Sequence, residues 1–266
     1  MIRGRPSLPS LPPCSSPHLA CLRDALWADH PAVLQLIEIV TSPEGCHLLT
    51  ELMEHGELFD VLDNCAFSEQ TCRMVALQIA SALAHLHLRH KVAHCDVKPA
   101  NVLCRCADPT VPGSLKLADF GFCQRFTRRT AREFTITCGT FEYFAPELVA
   151  NRNSQARNPQ RAEGSPLVRY GSHVDCWSLG CVVYEMLHGE PPYYSKDDET
   201  QLQLIAAHEL HFPDESFGQV RSSPAGVHPR RRRSLLPFPP MCSRRSSIQS
   251  LCCGVSAVHL PLCVRR

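Results

Sequence analysis

His94-Cys95-Asp96-Val97-Lys98-Pro99-Ala100-Asn101-Val102-Leu103 is the stretch on which the fold turns. After a hairpin comes Leu117-Ala118-Asp119-Phe120-Gly121. Further on stand Cys138-Gly139-Thr140-Phe141-Glu142-Tyr143-Phe144-Ala145-Pro146-Glu147 and Asp175-Cys176-Trp177-Ser178-Leu179-Gly180. A surface loop with scattered charges does not account for Pro99 and Asn101 at these offsets from Asp96. Residues 92–121 read as short strands alternating with loops. Upstream, Ser68 is a good N-cap for a long helix ending near His90, with Val75, Leu77, Ile79, Leu83 and Leu86 as its apolar positions. Downstream, Asp175 to Leu187 is apolar nearly all round, so a helix there must be buried.

Working outward, Val33–Val40 and Cys46–Leu52 read as strands joined by a turn at 42–45. Gly56–Leu62 reads as a short helix and 197–209 as another. Residues 18–29 have apolar residues near helical spacing. Residues 151–169 read as a polar surface insertion. After Ser222 periodicity disappears, and residues 222–266 read as a basic, disordered tail. The leader 1–17 is punctuated by prolines that stop helices from propagating.

Taken together, the four motifs resemble the subdomains of eukaryotic Ser/Thr protein kinases, in the same order, from about residue 31 to 222. The resemblance implies an α+β, protein-kinase-like fold. In it, 18–55 would be a remnant of the N-terminal β lobe with the hinge, and 56–221 an incomplete, mostly helical C-terminal lobe. It implies ATP-dependent phosphoryl transfer to Ser or Thr of protein substrates, with Mg²⁺ as metal. Such chemistry asks the protein mainly for positioning and charge neutralisation. By residue matching, Asp96 would accept the substrate hydroxyl proton and Lys98 would steady the moving phosphate. Asn101 and Asp119 would hold the metal as hard oxygen donors. Thr140 would face the substrate hydroxyl. Asp175 would bind the backbone of the 94–101 loop, or cap its own helix, or both.

The segment Thr50–Asp60 resembles the family's hinge and following helix. Glu51 and Met53 would offer backbone groups to adenine, Thr50 would be a small gatekeeper, and Leu103 would floor the pocket. Glu57 matches an acid that pairs a substrate Arg in many basophilic kinases. Its usual companion falls at Ala100, so a preference for basic substrates is half supported. The His-Cys-Asp triplet, Asp108-Pro109 and Asp-Phe-Gly-Phe are similar to the protein kinase D branch of the calmodulin-kinase-like group.

The pattern also departs from the family. Kinases cover the phosphates with a Gly-rich turn and anchor them with a strand Lys. Here Gly4 is the single glycine before Gly45, and Lys91 is the first lysine. Weak or absent activity is therefore expected, and a non-catalytic binding fragment is the alternative. Glu147 is expected to lack the Arg that usually pairs with it. Cys95 stands where an Arg usually docks a phosphorylated loop. Cys123 is read as a buried thiol, or else as a reactive one near the nucleotide.

Composition bounds the rest. The 266 residues carry 27 Lys+Arg against 26 Asp+Glu, and the basic excess sits in the tail. Nothing calls for a nucleic-acid partner, and no run is long enough to span a bilayer. The 16 cysteines, without a zinc-type spacing, read as reduced thiols of an intracellular protein. A cytoplasmic location is expected, with Arg230–Arg233 as a nuclear-localisation patch or phosphosite, or as solvated tail.

Overall fold

The computed structural model describes residues 28–42, 45–64, 67–126, 134, 138–157, 169–212 and 262–264. The expected leader, most of the 18–29 helix and nearly all of the tail lie outside them. What is described is an α+β arrangement in which a β-hairpin and two small two-stranded ladders lie against a helical body.

Strand β1 (Leu36–Ser42) pairs antiparallel with β2 (Gly45–Thr50), from Leu36↔Thr50 to Ser42↔Gly45. Both strands run close to the expected ranges. Val33, expected to open β1, instead forms a parallel bridge to Leu117. The Leu34 N–H donates to the Leu117 carbonyl at 2.9 Å, which ties the hairpin's root to the body.

Helix α1 (Leu58–Asn64) begins two residues later than expected. Helix α2 (Glu69–His85) is capped by Ser68, whose hydroxyl accepts the Thr71 N–H at 3.1 Å. A π-helical turn, Leu86–His90, continues it to Lys91, which takes a left-handed φ of 58°. The buried face of α2 holds Cys72, Val75, Ile79, Ala82 and Leu83. Leu77, expected on that face, is 54% exposed. Two residues from Val75 along a 3.6-residue turn is nearly the opposite side, so its apolar character does not place it inside.

Strands β3 (Val92–Ala93) and β6 (Gln124–Arg125) pair, as do β4 (Val102–Cys104) and β5 (Leu115–Leu117). Helix α3 (Pro146–Arg157) occupies the first part of the expected polar insertion. Asn151 there is fully buried, which corrects the surface reading at that position; residues 158–168 are outside the described set. Helix α4 (His173–His188) starts two residues before Asp175, with Ser172 at its cap. Asp175 therefore lies inside the first turn and is not the N-cap. Helix α5 (Asp198–Ala207) is capped by Asp197, whose carboxylate accepts the Thr200 N–H at 2.8 Å. Strand β7 (Leu262–Val264) runs parallel to β2 and is the described part of the tail.

Two apolar clusters make the body. One joins α2 and α4 to β4 and β5 through Val75, Ile79, Leu83, Leu117, Val182 and Met186. The other packs Phe144, Leu148, Tyr170, Val174, Leu202 and Ile205. Helix α4 serves both, as its all-round apolar sequence demands. Among the described residues no helix is long and apolar enough to cross a membrane.

Candidate functional site

The site is assembled on the loop from His94 to Asn101. Its shape is set from beneath by Asp175, which is fully buried. One carboxylate oxygen accepts the His94 N–H and the other the Cys95 N–H, both at 2.8 Å. His87, from the π-helical turn, sits 2.7 Å from the same carboxylate. Burying a charge is favourable only when it is paired and hydrogen-bonded, and these contacts supply that. His94 Nδ1 accepts the Asp96 N–H at 3.3 Å. Its Nε2, 2.9 Å from the Ala118 carbonyl, must then be the protonated nitrogen.

The loop so held presents Asp96, which is 4% exposed. Thr140 donates its hydroxyl to Asp96 Oδ1 at 2.7 Å. Asn101 Nδ2 reaches Oδ2 at 2.9 Å and the Asp96 carbonyl at 2.8 Å. Lys98 Nζ is 2.9 Å from Oδ2 and donates to Thr140 Oγ1 at 2.7 Å. Asp96, Lys98, Asn101 and Thr140 are therefore one hydrogen-bonded group. Thr140 touches Asp96 itself, where the expectation had it facing a substrate hydroxyl.

Asp119 follows Ala118, whose N–H donates to the Asn101 carbonyl at 2.8 Å. Asn101 and Asp119 thus stand on adjacent chain segments. Asp119 is exposed and left-handed, with φ 55°, and its Oδ1 accepts the Gly121 N–H at 3.1 Å. Because the Asn101 amide nitrogen faces Asp96, its oxygen turns the other way. Two hard oxygen donors fit Mg²⁺, which takes one or two side chains and completes its shell with water and phosphate. Among the described residues no group of three or more His, Cys, Asp or Glu could cage a metal.

Close by in the chain lies an apolar patch of Leu34, Met53 and Ala118, with Leu103 of β4 packed on it. Leu103 follows two residues after Asn101, which ends a 3-10 turn. Thr50 is 2% exposed at the end of β2. The Glu51 N–H donates to the Gln35 carbonyl at 3.1 Å, so that donor faces β1. The Glu51 side chain meets Lys116 Nζ at 2.7 Å, accepts the Gln35 N–H at 2.8 Å and pairs with Arg105. Glu57 bridges to Leu103. Burial raises its carboxyl above the ordinary value and Asp60 adds to this, while Lys98 pulls it down.

Several contacts were not legible beforehand. Lys116 is a buried lysine between two buried leucines, with its ammonium also 3.2 Å from the Val33 carbonyl. A charge in the middle of a short apolar strand is the signal that it needs an acid nearby. His87 had no such signal. Glu147, expected to lack the family's Arg, lies 2.8 Å from His173 Nε2. The Tyr143 hydroxyl donates to buried Glu185 at 2.7 Å and Ser178 donates to the Tyr143 carbonyl at 2.8 Å, which docks this segment on α4. Cys123 is 2% exposed, in keeping with a buried thiol.

Residues 24–225 match the family model described as Protein kinase domain. A Dictyostelium discoideum protein named as a probable myosin light chain kinase is 32% identical over 188 residues, 70% of this chain and 34% of that protein. The cAMP-dependent protein kinase catalytic subunit of the same organism is 33% identical over 185 residues, 69% of this chain and 24% of its own. The serine/threonine-protein kinase cds1 of Schizosaccharomyces pombe is 34% identical over 178 residues, 66% of this chain and 35% of its own. The chain thus spans about a quarter to a third of the length of these curated relatives. With a matched family model over most of its described body and relatives named as serine/threonine kinases, the chain belongs to the protein kinase domain family.

Proposed function

We propose that this chain carries the phosphoryl-transfer half of an ATP-dependent protein serine/threonine kinase. The observation that carries the reading is the convergence of Lys98, Asn101 and Thr140 on the Asp96 carboxylate. Mg-ATP, when bound, supplies the phosphoryl group and neutralises its charge. Asp96 takes the proton from the attacking Ser or Thr hydroxyl, and Asn101 and Thr140 fix the direction in which its oxygens point. Lys98 places a positive charge where negative charge accumulates. Asn101 and Asp119 would hold the metal as oxygen donors. Leu103, with Leu34, Met53 and Ala118 packed beside it, would offer an apolar surface to adenine, and Thr50 would be the small gatekeeper. Glu57 offers a carboxylate to a basic residue of the protein substrate. The His94-Cys95-Asp96 triplet supports placement in the calmodulin-kinase-like group.

A second reading has its own observation. Lys91 Nζ donates to the Leu88 carbonyl and Lys116 pairs with Glu51, so both are engaged away from the place of the family's phosphate anchor. Loss of one such donor lowers a rate by about 10²–10³. A binding fragment that retains substrates or regulators without phosphorylating them would follow from a larger loss.

The test uses the full 266-residue chain and its Asp96→Ala variant with labelled Mg-ATP and a mixed Ser/Thr peptide pool. Label transfer that disappears in the variant supports the kinase reading. Equal label in both defeats it. Thermal unfolding separates the second reading: a gain of about 2.7 kcal/mol at 100 times the dissociation constant of the nucleotide marks a retained nucleotide site, whereas a stable chain indifferent to Mg-ATP that transfers no label is the binding fragment.

A further inference from the structure

The two segments that meet at the Asp96 group each carry a cysteine. Cys95 precedes Asp96 in the loop. Cys138 lies two residues before Thr140, whose hydroxyl bonds Asp96. Cys95 is 7% exposed, and Cys138 packs against the cluster that contains it. The backbones approach closely here: a Cβ on Gly139 would lie 2.6 Å from the Cys95 carbonyl oxygen. Cys138 Sγ accepts from Gln124 Nε2 at 3.3 Å, and the same nitrogen stands 3.2 Å from the Tyr170 hydroxyl. Cys138 is half-buried, so a small oxidant can reach it, whereas Cys95 is shielded.

The two thiols differ in kind. A hydrogen bond from Cys95 draws Cys138 below the usual thiol range against the opposing effect of burial, and Gln124 and Tyr170 help. The same bond, with burial, holds the proton on Cys95. Cys104 is pushed up to about 11 and Cys181 to about 12 by burial. The thiolate is the reactive form, so Cys138 is favoured over these.

We propose that Cys138 and Cys95 form an oxidisable pair that a peroxide converts into a disulfide between the Asp96 loop and the Thr140 segment. The Cys138 sulfur attacks one peroxide oxygen; the S–O bond forms, the O–O bond breaks, and the departing oxygen takes a proton and leaves as water. The Cys95 sulfur then attacks the Cys138 sulfenic acid. The S–S bond forms, the S–O bond breaks, and the Cys95 proton leaves with the oxygen as a second water. The two sulfurs together lose two electrons, and the peroxide gains them. The product clamps the backbone on both sides of Gly139. A reductant thiol reverses it by exchange.

The test needs no phosphoryl transfer, so it stands apart from the proposed function. The reduced full-length chain is treated with a slight excess of hydrogen peroxide, its remaining thiols are alkylated, and it is digested without reductant for mass spectrometry. The expected product is a Cys95–Cys138 cross-linked peptide, absent after dithiothreitol. In Cys95→Ser, dimedone should label Cys138, because the resolving thiol is gone. If that variant does not fold, dimedone added together with peroxide to the unaltered chain should reduce the cross-link and appear on Cys138. Cys138 recovered as an alkylated thiol, or joined to Cys123 or another cysteine, overturns the proposal.

Discussion

Asp175 Oδ1 accepts the backbone N–H of Cys95 at 2.8 Å, and it does so at the one point of the loop where a side chain other than glycine holds a φ of 65°. The carboxylate thus stabilises a backbone shape that a free loop would disfavour. Asp175→Ala leaves the His94 and Cys95 donors buried without that acceptor. Urea unfolding should show a loss of about 3–5 kcal/mol. Asp175→Asn, which keeps one acceptor oxygen, should lose less. Equal stability of all three chains would show that the carboxylate does not set the loop.

Thr140 links Lys98 to Asp96 through one hydroxyl. Thr140→Ala removes a hydrogen bond to a charged group, about 1.5–3 kcal/mol. If the Asp96 group performs phosphoryl transfer, the rate should fall about 10- to 100-fold. Thr140→Ser should keep most of it. A Ser variant as slow as the Ala variant would point to the methyl group's packing instead.

Lys116 and Glu51 join the β4–β5 hairpin to the end of β2 across 2.7 Å. Lys116→Met leaves Glu51 with Arg105, whose side chain is 52% exposed. Unfolding free energy should drop by about 1–3 kcal/mol. The double variant Lys116→Met/Glu51→Gln should regain part of it, and the double-mutant cycle measures the coupling. Additive losses would mean that the two side chains act separately.

Gly139 has φ 108° and no room for a side chain against the Cys95 carbonyl. Gly139→Ala should cost at least about 2 kcal/mol, since strain and overlap add. The denaturant midpoint reads this directly. A neutral substitution would mean that the Thr140 segment shifts away from the loop at little cost.

Burial holds the His30 imidazole below the ordinary histidine value of 6.5, and the neighbouring His85 and Lys116 add to the effect. As pH falls through 6.5, the unfolded chain takes up this proton before the folded one does. Stability should therefore decline from 6.5 downward toward the lower folded value, and be fully present above 6.5. His30→Gln should flatten that part of the curve. Parallel curves for the two chains would exclude His30 as a source of the slope.

What the sequence disclosed follows from the distance over which each feature is determined. Asp96, Lys98 and Asn101 lie within six residues, and their chemistry constrains their spacing directly. Ser68 was legible as a cap because its partner Thr71 is three residues away. Leu77 misled because hydropathy was read without its angular position on α2. Lys116 and His87 depend on Glu51 and Asp175, partners that are distant in sequence. Glu147 was read only against the family's usual Arg. Its contact is His173, which a local reading of the sequence does not reach.

The bonds from Asp175 to His94 and Cys95 close contacts of 81 and 80 residues. During synthesis the ribosome releases the 94–101 loop long before Asp175 exists. Through that interval the loop has no acceptor to impose its geometry, and it can mature only after α4 has emerged and packed. Long-range closures of this kind slow folding and leave apolar surface uncovered meanwhile. A nascent chain halted before residue 175 should therefore show free amide exchange at His94 and Cys95, and one halted well past α4 should show protection. The machinery of this protein is among the last parts of the described body to become itself.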